Sequence, residues 1–262
     1  MNRWLLNHFE TYALMFVFIA ASMLFAYGVL RLTRRFFPAL TENEQNEITL
    51  LSINIIGAVY GILLGFVIVA LWSGYNAASD NVGREASALS SIVRAAQVFP
   101  PEYRDEVTKA VGQYDRAVVD DEWPLLREGQ TSPKADQAMN QLFVALEHVD
   151  PKTEAQKQFF AAAVDRLNDA LSARRTRLEQ VNASLPNSLR LMMYIGFAVI
   201  VAFMSVIGSG RKWLHTAMLL GVTAIIAFNL ILTTTLDYPF SGDVSISDEP
   251  FRTGALAQFF TR

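Results

Sequence analysis

Four long runs without an acidic or basic residue are the feature that most limits how this chain can fold. They cover residues 12–30, 48–72, 191–210 and 213–236. An α-helix rises 1.5 Å per residue and the hydrocarbon core of a bilayer is about 30 Å thick, so each run is long enough to cross a membrane. A water-soluble helix of this length would need a polar face, which these runs lack. We therefore predict an all-α membrane protein with four transmembrane helices.

Charged residues are concentrated between the second and third runs. Of the 47 acidic and basic side chains in the sequence, 30 lie within residues 73–188. Charged residues make up 18% of the whole chain, below the roughly 25% typical of soluble domains. We predict four parts: a first membrane hairpin over 1–72, an extramembrane helical stalk over 73–188, a second membrane hairpin over 189–236 and a C-terminal tail over 237–262.

The sequence also excludes several classes of function. It contains no cysteine, which excludes a disulfide scaffold and a cysteine-ligated metal site. Its net charge of −3 gives no reason to expect a nucleic-acid partner. Its three histidines lie in unrelated segments, and it has neither a glycine-rich phosphate loop nor a nucleophile elbow. We expect a protein that is embedded in the lipid bilayer, carries no cofactor and is not an enzyme.

The second transmembrane helix should continue into the stalk. No proline interrupts residues 73–99, so the pattern predicts one helix over about 42–99, capped by Thr41 and ended by Pro100-Pro101. A second long stalk helix is predicted over 150–184, next to the third span. Because both adjoin the membrane on the same side, we expect them to pack antiparallel.

Two shorter stalk helices are predicted between the long ones. The first begins at Pro101 and ends at Glu122-Trp123-Pro124, and the second begins at Ser132-Pro133. The long helix that follows should begin at Asp150-Pro151, because a capping side chain followed by proline marks a helix start.

Two groups of charged stalk residues have simple structural interpretations. The run Asp120-Asp121-Glu122 is predicted to be a solvated helix end. Arg174, Arg175 and Arg177 are expected to pair with acids on a facing helix, such as Glu85, with an anion site as the alternative.

The second span carries small residues on one face. Gly57, Gly61 and Gly65 are each four apart, with Asn54 three residues before them and Tyr60 beside them. Small residues at this spacing let helices approach closely in lipid, and polar groups in a span prefer protein or water. The face is therefore a candidate to line a pore or meet another subunit. The alternative is packing between helices of one subunit.

The fourth span ends in polar residues and is followed by an acidic turn. Asn229 and Thr233 are the candidates within the span; we expect Asn229 to face another helix, whereas the threonine hydroxyl can bond to its own helix. The tail then contains Asp237, Pro239, Phe240, Gly242 and Asp243, with phenylalanines placed to anchor it on the stalk. Asp237 and Asp243 are weak candidates for calcium, but the EF-hand spacing is missing, so we favour a solvated turn and expect no metal.

These motifs together resemble the bestrophin-like membrane proteins of bacteria and plants. Glu-Trp-Pro at 122–124 and Asp-x-Pro-Phe-x-Gly at 237–242 carry the resemblance most specifically, and it spans nearly the whole chain. The other matching positions are Gly57, Tyr60, Gly65-Phe66, Trp72, Tyr75, Glu85-Ala86, Leu89, Pro101, Tyr103-Arg104, Arg174, Arg177 and Leu185-Pro186.

The resemblance implies a pentameric ion channel with the second span around the pore. The bestrophins proper are anion channels whose termini and helical extension lie in the cytosol, and in them a Pro-Phe-Gly-acidic stretch helps to bind calcium. This chain departs from that pattern, because Asp243 alone follows Gly242 and glycines replace the bulky apolar neck. Residues 73–188 also hold 17 acids and 13 bases, which does not favour anions, so chloride and cations both remain candidate ions.

The four spans determine which segments share a side of the membrane, but not which of the two sides is the cytoplasm. Arg31, Arg34, Arg35, Arg211 and Lys212 place the two short loops in the cytoplasm under the positive-inside rule, which would export the stalk, whereas the resemblance places the stalk in the cytosol. We expect a homo-oligomeric bestrophin-like channel in the bacterial inner membrane, with the side of the stalk left open. The alternative is a non-conducting membrane scaffold or envelope sensor that acts through the stalk.

Overall fold

The computed structural model describes residues 2–37, 47–206 and 211–260, and these are helical with no strand. The helices are α1 Asn2–His8, α2 Thr11–Phe36, α3 Glu47–Ala96, α4 Pro101–Arg116, α5 Trp123–Glu128, α6 Pro133–Glu147, α7 Glu154–Asn182, α8 Asn187–Val206 and α9 Lys212–Leu236. A π-helical segment, Ala117–Glu122, joins α4 to α5, and two 3-10 turns, Glu249–Arg252 and Gly254–Phe259, lie in the tail.

Among the described helices, four are long and apolar enough to cross a membrane, which confirms the predicted class of an all-α membrane protein. They are α2, α3, α8 and α9. Helix α9 packs against α2, α3 and α8, and α8 also contacts α2 and α3. Their shared core includes Leu30, Leu64, Val201, Leu219 and Leu230, all nearly inaccessible to solvent.

Helix α3 belongs to both the membrane and the stalk. Its 50 residues extend about 75 Å, so roughly half of the helix projects beyond the hydrocarbon core of a bilayer. It ends at Ala96, three residues before the predicted end, because Gln97, Val98 and Phe99 bond to carbonyls only three residues back and tighten the last turn. The predicted cap at Thr41 lies outside the described residues.

The stalk packs α7 along the extramembrane half of α3, as predicted for the two long helices. Helices α4 and α6 contact each other, α4 also contacts α3 and α6 also contacts α7, and together they complete one apolar core. The core is built from small and branched side chains that allow close helix packing, among them Ala78, Val82, Leu89, Ile92, Val107, Val111, Leu142 and Ala170.

The predicted helix end at Glu122-Trp123-Pro124 is wrong. The helix continues from α4 through the π segment into α5, and the Trp123 N–H donates to the carbonyl of Val118, five residues back. Pro124 is tolerated because it lies in the first turn of α5, where its missing N–H is not needed. Gly129, in the left-handed conformation with φ of 83°, ends the helix instead.

The starts of α6 and α7 show which capping signal is decisive. Ser132 caps α6 as predicted, its hydroxyl accepting the N–H of Ala135. Helix α7 begins after Thr153 rather than at Asp150-Pro151. Thr153 and Gln156 form a reciprocal capping box that satisfies two N–H groups, and this outcompetes the Asp-Pro signal three residues earlier.

Both chain ends lie on the stalk. Asn7 of α1 donates to the carbonyl of Arg127 at 2.8 Å and accepts the N–H of Gly242 at 3.0 Å, so one side chain joins the N-terminus, the stalk and the tail. Phe240 and Phe251 of the tail are buried and pack edge-on against Trp123. This confirms that phenylalanines anchor the tail on the stalk.

Candidate functional site

One face of α3 is not covered by any other described helix of the same chain. A Cβ atom built on Gly57, Gly61 or Gly65 would meet nothing within 4 Å, and Asn54 is exposed one turn earlier. Because 3.6 residues make one turn, spacings of three and four keep these four residues on one side of the helix. Within the described part of the chain, no side chain packs directly on these three glycines.

A groove of about 560 Å³ follows this face. The glycine face forms one wall, and residues of α8 and α9 form the other. The lining is apolar except for Asn54, Tyr60 and Asn229. Five sequence-predicted positions of the second span and one of the fourth are thus brought together at a single surface.

Tyr60 fastens α3 to α8. Its ring is 8% exposed, and its hydroxyl donates to the carbonyl of Met193 at 2.7 Å. The ring lies over Gly196, where an added Cβ atom would come within 2.4 Å of a ring carbon. Glycine at 196 is what permits this approach, so Tyr60 borders the groove as a packing residue.

The polar residues of α9 bond to their own helix. The hydroxyl of Thr233 donates to the carbonyl of Leu230 at 2.8 Å, as expected of a threonine in a span. Asn229 borders the groove, but its amide donates to the carbonyl of Ile225 at 3.0 Å. The amide is thus bonded one turn back within its own helix, as a threonine hydroxyl is, while the side chain lies across the groove from α3; that Asn229 serves a contact with another helix stays a prediction.

The most heavily buried charges lie in the stalk, around Arg177. Its guanidinium donates from Nε to Glu85 Oε2 at 2.8 Å and from Nη2 to Glu122 Oε2 at 2.8 Å. The side chains of Arg177, Glu85 and Glu122 are fully inaccessible to solvent. Burial disfavours the guanidinium charge, but Glu85 and Glu122 outweigh it and hold the pKa of Arg177 above its usual range.

Two further side chains complete this cluster. Arg174 pairs with Glu122 at 2.7 Å and with Asp136 at 2.6 Å. The Tyr114 hydroxyl donates to Glu85 Oε1 at 2.6 Å, and burial raises the pKa of Tyr114, which keeps this group a neutral donor. Since two arginines face two fully buried glutamates, the cluster is nearly balanced in charge and joins α3, α4, α7 and the π segment.

Sequence reasoning found half of this cluster. The pairing of Arg177 with Glu85 is confirmed, whereas Arg175 pairs on the surface with Glu179 of its own helix. The interpretation of Asp120-Asp121-Glu122 as a solvated run is wrong for Glu122. The available signal was the apolar flank of the run, because Val118, Val119 and Trp123 are all buried.

The acids of the tail serve local structure, and the expectation of a solvated turn is wrong for Asp237. Asp237 is 4% exposed and accepts hydrogen bonds from the Leu185 N–H at 2.7 Å and from Arg190 at 2.6 Å. Asp243 accepts the N–H of Thr11 at 3.0 Å at the start of α2, where a carboxylate complements the helix dipole. The described residues contain no group of three His, Cys, Asp or Glu side chains that could hold a metal ion.

The rest of the tail motif forms a tight turn. Gly242 adopts φ of 80°, and an added Cβ atom would lie 3.2 Å from the carbonyl oxygen of Leu6. The Pro239 carbonyl accepts the N–H of Ile246 at 2.8 Å, and the Ser241 hydroxyl donates to the carbonyl of Arg127 at 2.8 Å. The motif therefore positions the tail between α1 and α5.

Comparison with solved structures shows the same fold in bacterial bestrophin homologues. Two crystal structures of single-residue variants of such a homologue from Klebsiella pneumoniae have TM-scores of 0.67 and 0.68. They are 13% and 11% identical; the first match covers 97% of this chain and 98% of the other, and the second 95% and 99%. A further structure, described as a membrane protein, has a TM-score of 0.66 at 12% identity, covering 94% and 97%. No curated protein sequence matches the chain.

The class defined by fold and sequence is that of a four-span helical membrane protein with a stalk continuous with its second span. The model of the bestrophin-like domain matches residues 20–251. This chain therefore belongs to the bestrophin-like family.

Proposed function

We propose that this protein is a homo-oligomeric ion channel whose pore is lined by the second span. The observation that carries the proposal is the uncovered face formed by Asn54, Gly57, Gly61 and Gly65 within α3. Membership of the bestrophin-like family supports a channel, and the likeness to bacterial bestrophin homologues supports the helical framework that such a channel needs.

The chemistry of this face favours water over lipid as its neighbour. Asn54 adds an amide, and glycines leave the helix backbone accessible where other residues would shield it. Placing the Asn54 amide in hydrocarbon without a partner is costly, because it loses its hydrogen bonds to water. If several copies of α3 surrounded an axis, this face would line a water-filled pore.

The charge of the stalk bears on which ions would enter. Residues 73–188 carry a net charge of −4, from 17 acids and 13 bases. A surface of one sign raises the local concentration of the opposite ion, so we expect cations to enter more readily than chloride. Reversal potentials measured under a salt gradient decide between the two ions.

The experiment measures current through the purified protein in planar bilayers. We expect ion currents from the unaltered chain and a several-fold lower conductance from Gly61→Leu, since leucine would fill the open side of α3. Gly28→Leu is the matched control: Gly28 lies in the first span, is equally free of neighbours within 4 Å and does not line the groove.

Two results would contradict the proposal. One is a verified oligomer that stays silent under all ionic conditions tested. The other is a cryo-EM map of a dimer in which the second-span glycines are buried against each other and leave no axis for a pore. The second result would support the non-conducting scaffold instead.

A further inference from the structure

A buried carboxyl group without a hydrogen-bond partner lies on α4. Asp115 is fully inaccessible to solvent, and neither carboxylate oxygen has a partner among the described protein atoms. Buried polar groups are almost always hydrogen-bonded, and an ionised carboxylate is especially costly to bury alone. Asp115 takes no part in the proposed pore, so its environment needs a separate explanation.

The end of the chain packs on the same helix. We call residues 249–260 the C-terminal strap. The ring of Phe259 lies where a side chain at Gly112 would project, within 2.6 Å of an added Cβ atom. Arg116 donates from Nε and Nη2 to the Phe259 carbonyl at 3.0 and 2.8 Å. Gly112 and Arg116 flank Asp115 on α4, so the strap lies over this part of the helix.

The strap is held by apolar contacts as well. Phe251 and Leu256 are fully buried in the stalk core. The strap touches α3 and α4 but contains no long helix of its own. Because the strap consists of short 3-10 turns, it can detach without unwinding α3 or α4, at the cost of exposing Phe251 and Leu256.

The charges around Asp115 come from four elements: the strap, α4, α3 and the π segment. Burial raises the pKa of Asp115 to about 8; Arg252 of the strap and Arg116 on α4 act against this shift, and Glu85 of α3 and Asp120 add to it. Glu85 accepts hydrogen bonds from Arg177 and Tyr114, and its negative charge disfavours the ionised form of Asp115. In the packed state, burial of Asp115 outweighs the opposing charge of Arg252 and favours the neutral acid.

We propose that the C-terminal strap is a proton-dependent clamp, which holds the stalk when Asp115 is protonated and loosens as that carboxyl ionises. An exposed aspartate has a pKa of 3.8 and the covered one about 8, so closing the strap takes up a proton between these values. The strap is thus held most firmly at acid pH, and its hold weakens as pH rises to about 8. This property is independent of whether the protein conducts ions.

The test is hydrogen–deuterium exchange of the strap in the whole detergent-purified protein, from pH 5 to pH 9. Rates are corrected for the known pH dependence of free amides. The Leu256 and Phe260 N–H groups report directly, since each is hydrogen-bonded within the strap. We expect protection to fall by as much as about tenfold per pH unit below pH 8 and then level off, the signature of one linked proton.

Asp115→Asn should abolish this slope, because an amide of the same shape does not titrate. Asp120→Asn is the matched control: Asp120 is an exposed acid on the same helical stretch, and its removal should leave the slope in place. Equal slopes in the unaltered chain and in Asp115→Asn would overturn the proposal, and so would protection that does not change with pH in the unaltered chain.

A second variant keeps the test decisive if Asp115→Asn fails to fold. Arg252 lowers the pKa of Asp115, so Arg252→Gln should extend the loss of protection to higher pH than in the unaltered chain. A slope that ends at the same pH in both proteins would count against the clamp.

Discussion

At the scale of single residues, Arg177 is the central charge of the buried cluster in the stalk. It bridges two glutamates that belong to different elements, and its Cζ lies 5.6 Å from the centre of the Trp123 ring. The side chains of Arg177 and of the two glutamates are fully inaccessible to solvent. The cost of losing the guanidinium is therefore set mainly by the carboxylates it would leave behind.

Replacement of Arg177 by methionine should destabilise the stalk by about 3–5 kcal/mol, because Glu85 and Glu122 would stay buried without their partner. Arg177→Lys should rescue little, since an ammonium cannot reproduce the forked contact. Denaturant unfolding followed by Trp123 fluorescence measures the effect.

Arg175→Met is the matched control for this measurement. Arg175 is exposed and pairs with Glu179 on its own helix, so its loss should cost at most about 1 kcal/mol. Equal losses from the two variants would show that burial of the cluster has no bearing on stability.

At the scale of elements, the π segment decides where Glu122 points. A π turn places an extra residue in the helix, and removal of one residue would rotate the flanking part by about 100°. In the structure this extra residue allows Glu122 to reach both Arg174 and Arg177. The segment thus serves the buried cluster rather than the surface.

Deletion of Asp120 should restore a regular α-helix and turn Glu122 away from both arginines. We expect a loss of stability close to that of Arg177→Met, about 3–5 kcal/mol, because the same pairs are broken. Thermal unfolding followed by circular dichroism gives the comparison. Asp120→Ala, which keeps the length of the chain, should unfold within a few degrees of the unaltered protein.

The sequence is most informative where lipid imposes one solution. Hydropathy alone predicts α2, α3, α8 and α9, because a chain in hydrocarbon must satisfy its backbone within helices. The sequence also predicts the phenylalanine anchors and the pairing of Arg177 with Glu85. It does not predict the π segment, since that geometry depends on where Arg174 and Arg177 lie in three dimensions.

The sequence predicts the spacing of the residues on the candidate pore face, but not that this face is left uncovered. The spacing of Gly57, Gly61 and Gly65 placed them on one side of a helix, and only the arrangement of α8 and α9 shows that side to be open. Asn229 lies across the groove from α3, and the sequence did not show that its amide also bonds within its own helix.

At the scale of the whole molecule, the N-terminus, the stalk and the tail lie on one side of the membrane. Asn7 contacts Arg127, and the tail packs on the stalk, so these parts cannot be separated by a bilayer. The opposite side holds the end of α2 and the start of α9, where Arg34 contacts His215 at 3.3 Å. The four spans thus give a strongly asymmetric protein.

Single cysteines in this cysteine-free chain should report that asymmetry. We expect His8→Cys, Ser172→Cys and Thr253→Cys, all at exposed positions, to react together with a membrane-impermeant thiol reagent from one side. Phe37→Cys should react from the other side. The side that labels the first three tells whether the stalk is cytoplasmic or exported, and a split among these three would contradict the fold.

The unbroken course of α3 gives the molecule a mechanical property. A helix without proline is stiff over tens of ångströms, and α3 carries both the apolar stalk core and the open glycine face. If it tilts by about 5° around one end, the other end of a 75 Å rod moves by about 7 Å. Any force applied to the stalk therefore acts on the membrane as through a lever, with no hinge between the two to absorb it.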